Sequence, residues 1–133
     1  MEVKVTATLG NTLYQTEVNT GTHRIISDEP ADLGGGDTGM NPFELLASAL
    51  ATCTAATLRM YMNRKQWQAD QIIVWVEMIE DKPNNVTNFK REIQFTGDSL
   101  DEEQKKRLLL IAEKCPVHKV ITGNVAIATT INN

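Results

Sequence analysis

The sequence predicts a single α+β domain with mainly antiparallel pairing, and three observations lead to it. A chain of 133 residues has the length that one core usually serves. Strand-like segments come in blocks, with helical segments between the blocks rather than strictly alternating with single strands. Near the middle lies a long run of small and apolar residues at helical spacing, the natural centre of such a core. The predicted order is βββ-α-ββ-α-β over residues 1–133.

Val3, Val5, Ala7 and Leu9 alternate with polar residues, the period of a half-buried strand, so the chain begins inside a strand rather than in a targeting segment. Gly10-Asn11 reads as a turn. Thr12 to Val18 and Thr22 to Ser27 are rich in Thr, Val, Ile and Tyr and are joined by the polar turn Asn19-Thr20-Gly21, which predicts a meander. From Asp28 to Met40 the chain carries Pro30, Gly34-Gly35-Gly36 and Gly39 and is predicted irregular. It lacks the G-x-x-x-x-G-K-[ST] pattern and the preceding buried strand of a phosphate loop.

Asn41-Pro42 predicts a helix start, because Asn accepts an orphan N–H and Pro has none to leave unpaired. Glu44 in the first turn suits the positive end of the helix dipole. Leu46, Leu50, Cys53, Thr57 and Met60 follow as one stripe, and alanines make much of the remaining surface, so the helix is predicted buried on all sides. Ile72 to Glu80 and Val86 to Phe95 predict a hairpin around Lys82-Pro83-Asn84-Asn85. Ser99 and Glu102 read as a capping box, opening a helix with Leu108, Ile111 and Ala112 on its apolar face. That helix is expected to stop at Cys115, before Pro116. Val117 to Gly123 then reads as a connection, and Val125, Ile127, Thr129 and Ile131 as a last strand.

The formal net charge of −4, without any basic block, argues against a nucleic-acid partner. Only 5% of residues are aromatic, which leaves few rings to stack on bases. The uncharged run from Leu45 to Leu58, which no other exceeds, is short of the roughly 18 residues that a membrane span needs. Two cysteines are too few for a disulfide scaffold, so a cytoplasmic protein is expected.

Those cysteines are the candidate chemistry. Cys53 lies in Ala51-Thr52-Cys53-Thr54-Ala55, where small neighbours leave space and hydroxyls can reach a sulfur, and Cys115 is followed by Pro116, His118 and Lys119. The competing reading is that both are small core hydrophobes. A metal site would need Cys115 and His118, in C-x-x-H spacing, to be completed by Cys53 and His23 from far away; no metal or other cofactor is expected. On this count His118 is an ordinary exposed or capping residue.

Gly39-Met40-Asn41-Pro42-Phe43-Glu44-Leu45-Leu46, the small-residue helix reaching Ala51-Thr52-Cys53, and later Cys115-Pro116-Val117-His118 resemble the two cysteine motifs of the OsmC/Ohr family, osmotically induced protein C and organic hydroperoxide resistance protein. Asp28-Glu29-Pro30 with its glycine-rich sequel, and Leu58-Arg59-Met60-Tyr61, are similar to the broader OsmC-like subgroup. The resemblance covers nearly the whole chain. It implies an OsmC-like fold, an intertwined homodimer and a peroxidase for small organic hydroperoxides. In such an enzyme Cys53 forms a sulfenic acid, Cys115 condenses with it, and an external dithiol restores both thiols.

It also implies an Arg and a Glu that activate the thiol, and here this chain departs from the pattern. Phe43 stands where the family has its Glu, with Glu44 one residue later, and no Arg occurs from Asp28 to Met40. Arg24 is the nearest upstream candidate, and Arg59 follows Cys53 on the same helix. Glu44 precedes Cys53 by nine residues, a rise of about 13.5 Å and a rotation of about 180°, so it can serve a sulfur only across a dimer. The alternative expectation is a dimeric module of the same fold that binds a small apolar or thiol-reactive ligand without turnover.

Overall fold

In a computed structural model, which describes residues 1–132, the chain forms two compact units, Met1–Leu46 and a second beginning at Ala47. The first unit holds a three-stranded antiparallel sheet, β1 (Thr6–Leu9), β2 (Thr16–Asn19) and β3 (Arg24–Ser27), in that order. The meander is present but shorter than the sequence suggests: Val3 and Val5 precede β1, and Leu13 and Tyr14 fall in the turn, where Tyr14 takes a left-handed φ of 61°.

The irregular segment after β3 is ordered by one buried carboxylate. Asp28 accepts from the Thr38 hydroxyl at 2.6 Å and from the backbone N–H groups of Thr38 and Glu29. The Thr38 hydrogen bond holds its carboxyl below the usual range, against the opposing effect of burial. Gly39 passes so close to the Ile26 carbonyl that a Cβ would overlap it, and Gly35 does the same against Glu29. The glycines therefore serve close backbone approach.

α1 spans Pro42–Lys65. Asn41 caps it as expected, and Glu44 completes a reciprocal cap: the Glu44 N–H donates to Asn41 Oδ1 at 2.8 Å and the Asn41 N–H donates to Glu44 Oε1 at 3.0 Å. The buried positions within the second unit are Leu50, Thr54, Leu58, Tyr61 and Met62. The stripe is thus rotated from the one read in the sequence; Cys53 and Thr57 are half-buried and Met60 is 66% exposed. Alanines around the helix made several stripes equivalent in sequence. Nor is α1 buried on all sides, since Phe43 and Leu46 are also exposed. At 24 residues it is long and apolar enough to cross a membrane, a length hidden in the sequence because the helix continues through Arg59 to Lys65. What it does here is supply the core of the second unit.

β4 (Ile72–Asp81) and β5 (Val86–Phe95) form the expected hairpin, paired from Ile72 with Phe95 to Asp81 with Val86. α2 (Glu102–Ala112) begins two residues later than the Ser99 reading: Asp101 is the cap, exchanging hydrogen bonds with Gln104 at 2.8 and 2.9 Å. An acidic side chain with Gln three residues on meets the same geometric need as Ser with Glu. Leu108, Ile111 and Ala112 pack with Leu58, Tyr61 and Met62 in the core.

The region after Pro116 corrects the sequence reading twice. Residues 116–122 form a helix, α3 (Pro116–Thr122), rather than a connection, with Pro116 as its first residue and Cys115 as its cap. Proline ends one helix but is equally at home opening the next. Residues 125–131 take no strand pairing among the described residues, and Val125, Ile127 and Ile131 are 63%, 87% and 91% exposed. The α+β class and antiparallel pairing stand; the order in this chain is βββ-α-ββ-αα.

Candidate active site

Cys53 and Cys115, 62 residues apart in sequence (115 − 53), are hydrogen-bonded to each other in the second unit. α1 brings Cys53 and α3 begins at Cys115, whose side chain has no solvent exposure. No disulfide joins them. Cys53 is half-buried and also contacts the Thr57 hydroxyl, one turn further along α1, and the Val117 N–H.

The two sulfurs are not equivalent. Burial pushes the Cys53 thiol up, and its hydrogen bond to Cys115 adds to this. Burial opposes the Cys115 thiolate too. There, however, the Cys53 hydrogen bond, the His118 N–H, the Thr54 hydroxyl and the Val117 N–H prevail and lower its pKa. Of the two, Cys115 is the sulfur that more readily carries a negative charge.

A cation that the sequence reading missed stands beside the pair. Arg91 on β5 donates through Nη1 to the Thr54 hydroxyl at 3.0 Å and through Nη2 to His118 Nδ1 at 3.1 Å. The same Nη2 lies 3.6 Å from Glu113 Oε2, which is 3.5 Å from His118 Nε2. A guanidinium has no acceptor, so His118 Nδ1 accepts from it and Nε2 faces the carboxylate. His118, unremarkable in sequence, thus belongs to the site through both its ring and its N–H. The signal for Arg91 was present: Phe89, Arg91, Ile93 and Phe95 share one face of the strand, so a charge falls where apolar residues belong.

The remaining candidates are engaged elsewhere. Glu44 is the reciprocal cap of α1. Arg24, itself exposed, pairs across the first sheet with the half-buried Glu17 at 3.2 Å. Arg59 donates to the Ala69 carbonyl at 3.2 Å. Among the described residues no three His, Cys, Asp or Glu side chains gather where an ion could be held, and His23 lies in the first unit, bonded through its N–H to Thr20.

Two recesses in the second unit flank this centre. One, of about 490 Å³, is lined by Thr57, Met60, Tyr61, Ile111 and Pro116, with Arg64 and Lys114 at its edge. The other, of about 410 Å³, has Leu50, Phe89 and Ile121 on its walls and holds Arg91, Glu113 and His118.

An α+β chain that brings two free thiols into contact, with hydrogen-bond donors gathered on one sulfur, holds the groups that thiol chemistry requires. The chain belongs to the family of OsmC-like proteins, whose family model matches residues 34–130. It is 29% identical over 97 residues to an organic hydroperoxide resistance protein-like chain of Mycoplasma genitalium, covering 71% of this protein and 69% of that one. In structure it is similar to an osmotic stress induced and detoxification response protein of Psychrobacter arcticus, with a TM-score of 0.77 at 23% identity over 90% of this chain and 88% of that one. It is also similar to the organic hydroperoxide resistance protein OhrB of Bacillus subtilis, with a TM-score of 0.62, 25% identity and 93% coverage of both chains.

Proposed function

We propose that the protein is a cytoplasmic thiol peroxidase that reduces organic hydroperoxides, with Cys53 as the attacking and Cys115 as the resolving sulfur. The observation that carries this reading is the hydrogen-bonded contact between the two thiols. Membership of the OsmC-like family and similarity to organic hydroperoxide resistance proteins support it. Acidity sits on Cys115, which has no exposed surface to meet a substrate, whereas Cys53 is partly open. Cys115 therefore first serves as the base, taking the Cys53 proton as the Cys53 sulfur attacks the terminal peroxide oxygen.

The O–O bond breaks, the hydroxyl passes to Cys53 as a sulfenic acid, and the alkoxide leaves with the proton that Cys115 gives back. The Cys115 thiolate then attacks the Cys53 sulfur, displacing hydroxide and forming the disulfide. An external dithiol reduces that disulfide by two thiol exchanges, itself becoming a disulfide. Such a cycle suits a reducing compartment. The recess beside Thr57 is mostly apolar, and each methylene buried there contributes about 0.8 kcal/mol, which favours alkyl or acyl hydroperoxides over hydrogen peroxide. Glu44 and Arg24 carry no step of this cycle.

One equivalent of cumene hydroperoxide without reductant should produce an intrachain Cys53–Cys115 bridge, read as a loss of two hydrogens by intact mass and placed by peptide mapping. Persistent free thiols, or a Cys53 sulfinic acid with no bridge, would remove the resolving role of Cys115.

The reading includes a homodimer. Phe43, Leu46 and Met60 leave apolar surface of α1 exposed, and the alternating residues 125–131 have no strand partner among the described residues. Light scattering at micromolar concentration should give about twice the 14.8 kDa chain mass; a stable monomer would refute the dimer.

A further inference from the structure

We propose that Arg91 is a positioning residue for the thiol pair, acting through the Thr54 hydroxyl that it holds against Cys115. This rests on the two-thiol reading above, in which Cys115 takes and returns a proton.

Thr54 is fully buried on α1, next in sequence to Cys53. Its hydroxyl has one proton and two acceptors in reach: the Leu50 carbonyl at 2.7 Å and the Cys115 sulfur. Left alone, a helical threonine donates back to the carbonyl four residues earlier, and that bond does nothing for a sulfur. Arg91 Nη1 donates into the same oxygen from β5. A charged donor on the oxygen polarises the O–H bond and strengthens it as a donor, an effect that grows where water is excluded. When Cys115 ionises, the proton turns from the Leu50 carbonyl to the thiolate; when Cys115 is protonated, it turns back.

The guanidinium reaches the other side of the sulfur as well. Nη2 holds the His118 ring, and the His118 N–H is another of the donors on Cys115. One planar fork therefore ties together the two elements, α1 and α3, that surround this sulfur, a task suited to arginine's rigid geometry. A plain surface ion pair would explain neither the second arm nor the burial: the Arg91 side chain is 11% exposed, while its acidic neighbour Glu113 is 58% exposed. The charged and titratable groups gathered here are Arg91 from β5, Glu113 after α2, His118 from α3 and the two cysteines. Arg64 and Lys114 line the recess on the Thr57 side.

The test is the pH titration of the two cysteine Cβ carbon-13 chemical shifts, which read ionisation without a reagent reaching the buried sulfur, assigned with single Cys→Ser variants, on the whole protein and the variants R91Q, R91K, T54V and R91Q/T54V. R91Q and T54V should each raise the Cys115 midpoint by about one pH unit, roughly tenfold less thiolate below the midpoint. R91K, which keeps a charged donor without the fork, should recover part of that shift. The double variant should move no further than T54V alone, because Arg91 acts through the hydroxyl. A midpoint unmoved in R91Q with native circular dichroism, or additive shifts in the double variant, would overturn the proposal. If R91Q does not fold, the near-isosteric T54V decides, and an unmoved midpoint there overturns it equally. No peroxide enters the measurement, so a wild type that consumes no hydroperoxide while its variants shift as described would refute the peroxidase reading and leave the positioning role standing.

Discussion

Cys53→Ser is expected to abolish consumption of cumene hydroperoxide with a dithiol reductant, by at least about a thousandfold, because the remaining thiol, Cys115, has no exposed surface with which to meet a peroxide. Cys115→Ser should behave differently. Its serine can neither take the Cys53 proton as a base nor resolve a sulfenic acid, so Cys53 should react slowly, turn over about once and accumulate as sulfenic acid or higher oxides. Reductant consumption followed beside a single-turnover mass measurement separates the two outcomes. Hydrogen peroxide in place of cumene hydroperoxide should be the poorer substrate, since it has nothing to bury against Met60, Ile111 and Pro116. Full activity in Cys53→Ser would end the mechanism. A wild type inert toward every hydroperoxide, yet still binding apolar thiol-reactive ligands, would instead identify a non-catalytic module of the same fold.

Leu108→Ala is expected to be the most damaging conservative change in the second unit. Leu108 has no exposed surface and lies in the cluster of Leu58, Tyr61, Met62, Ile111 and Ala112, with Ile93 and Phe95 of β5 packed against it. Truncation removes three carbons and leaves a cavity, at a cost of about 2 to 5 kcal/mol. For a protein of this size that lowers the melting temperature by roughly 8 °C or more. Leu110→Ala, two residues along the same helix and 57% exposed, should change stability by no more than about 0.5 kcal/mol. Urea melts of both variants at one protein concentration make the comparison, and equal losses would show that this face of α2 is covered by something other than its own chain.

Where local chemistry decides an element, the sequence was a sound guide. The β4–β5 hairpin was legible from two β-rich runs around Lys82-Pro83-Asn84-Asn85, and the start of α1 from Asn41-Pro42, because each signal acts within a few residues. The misreadings came where one signal admits two outcomes. Pro116 can end a helix or begin one, and here it begins α3. Ser99 with Glu102 and Asp101 with Gln104 are both cap patterns within one short stretch, and the backbone adopts the second. Residues 125–131 alternate like a strand, but alternation describes a face to be covered and does not provide the neighbour that covers it.

By itself the sequence determined the α+β class, most of the elements and the two cysteines with their motif contexts. Packing within the second unit brings Cys53 to Cys115, gathers the donors on Cys115 and sets Arg91 beside them. The reason is one of range. Caps, turns and periodicity are interactions between residues a few positions apart, so they leave a mark on the sequence around them. Arg91 and Thr54 are 37 residues apart, and their contact depends on how a strand and a helix pack, a choice made by the whole core and written in no single stretch of it.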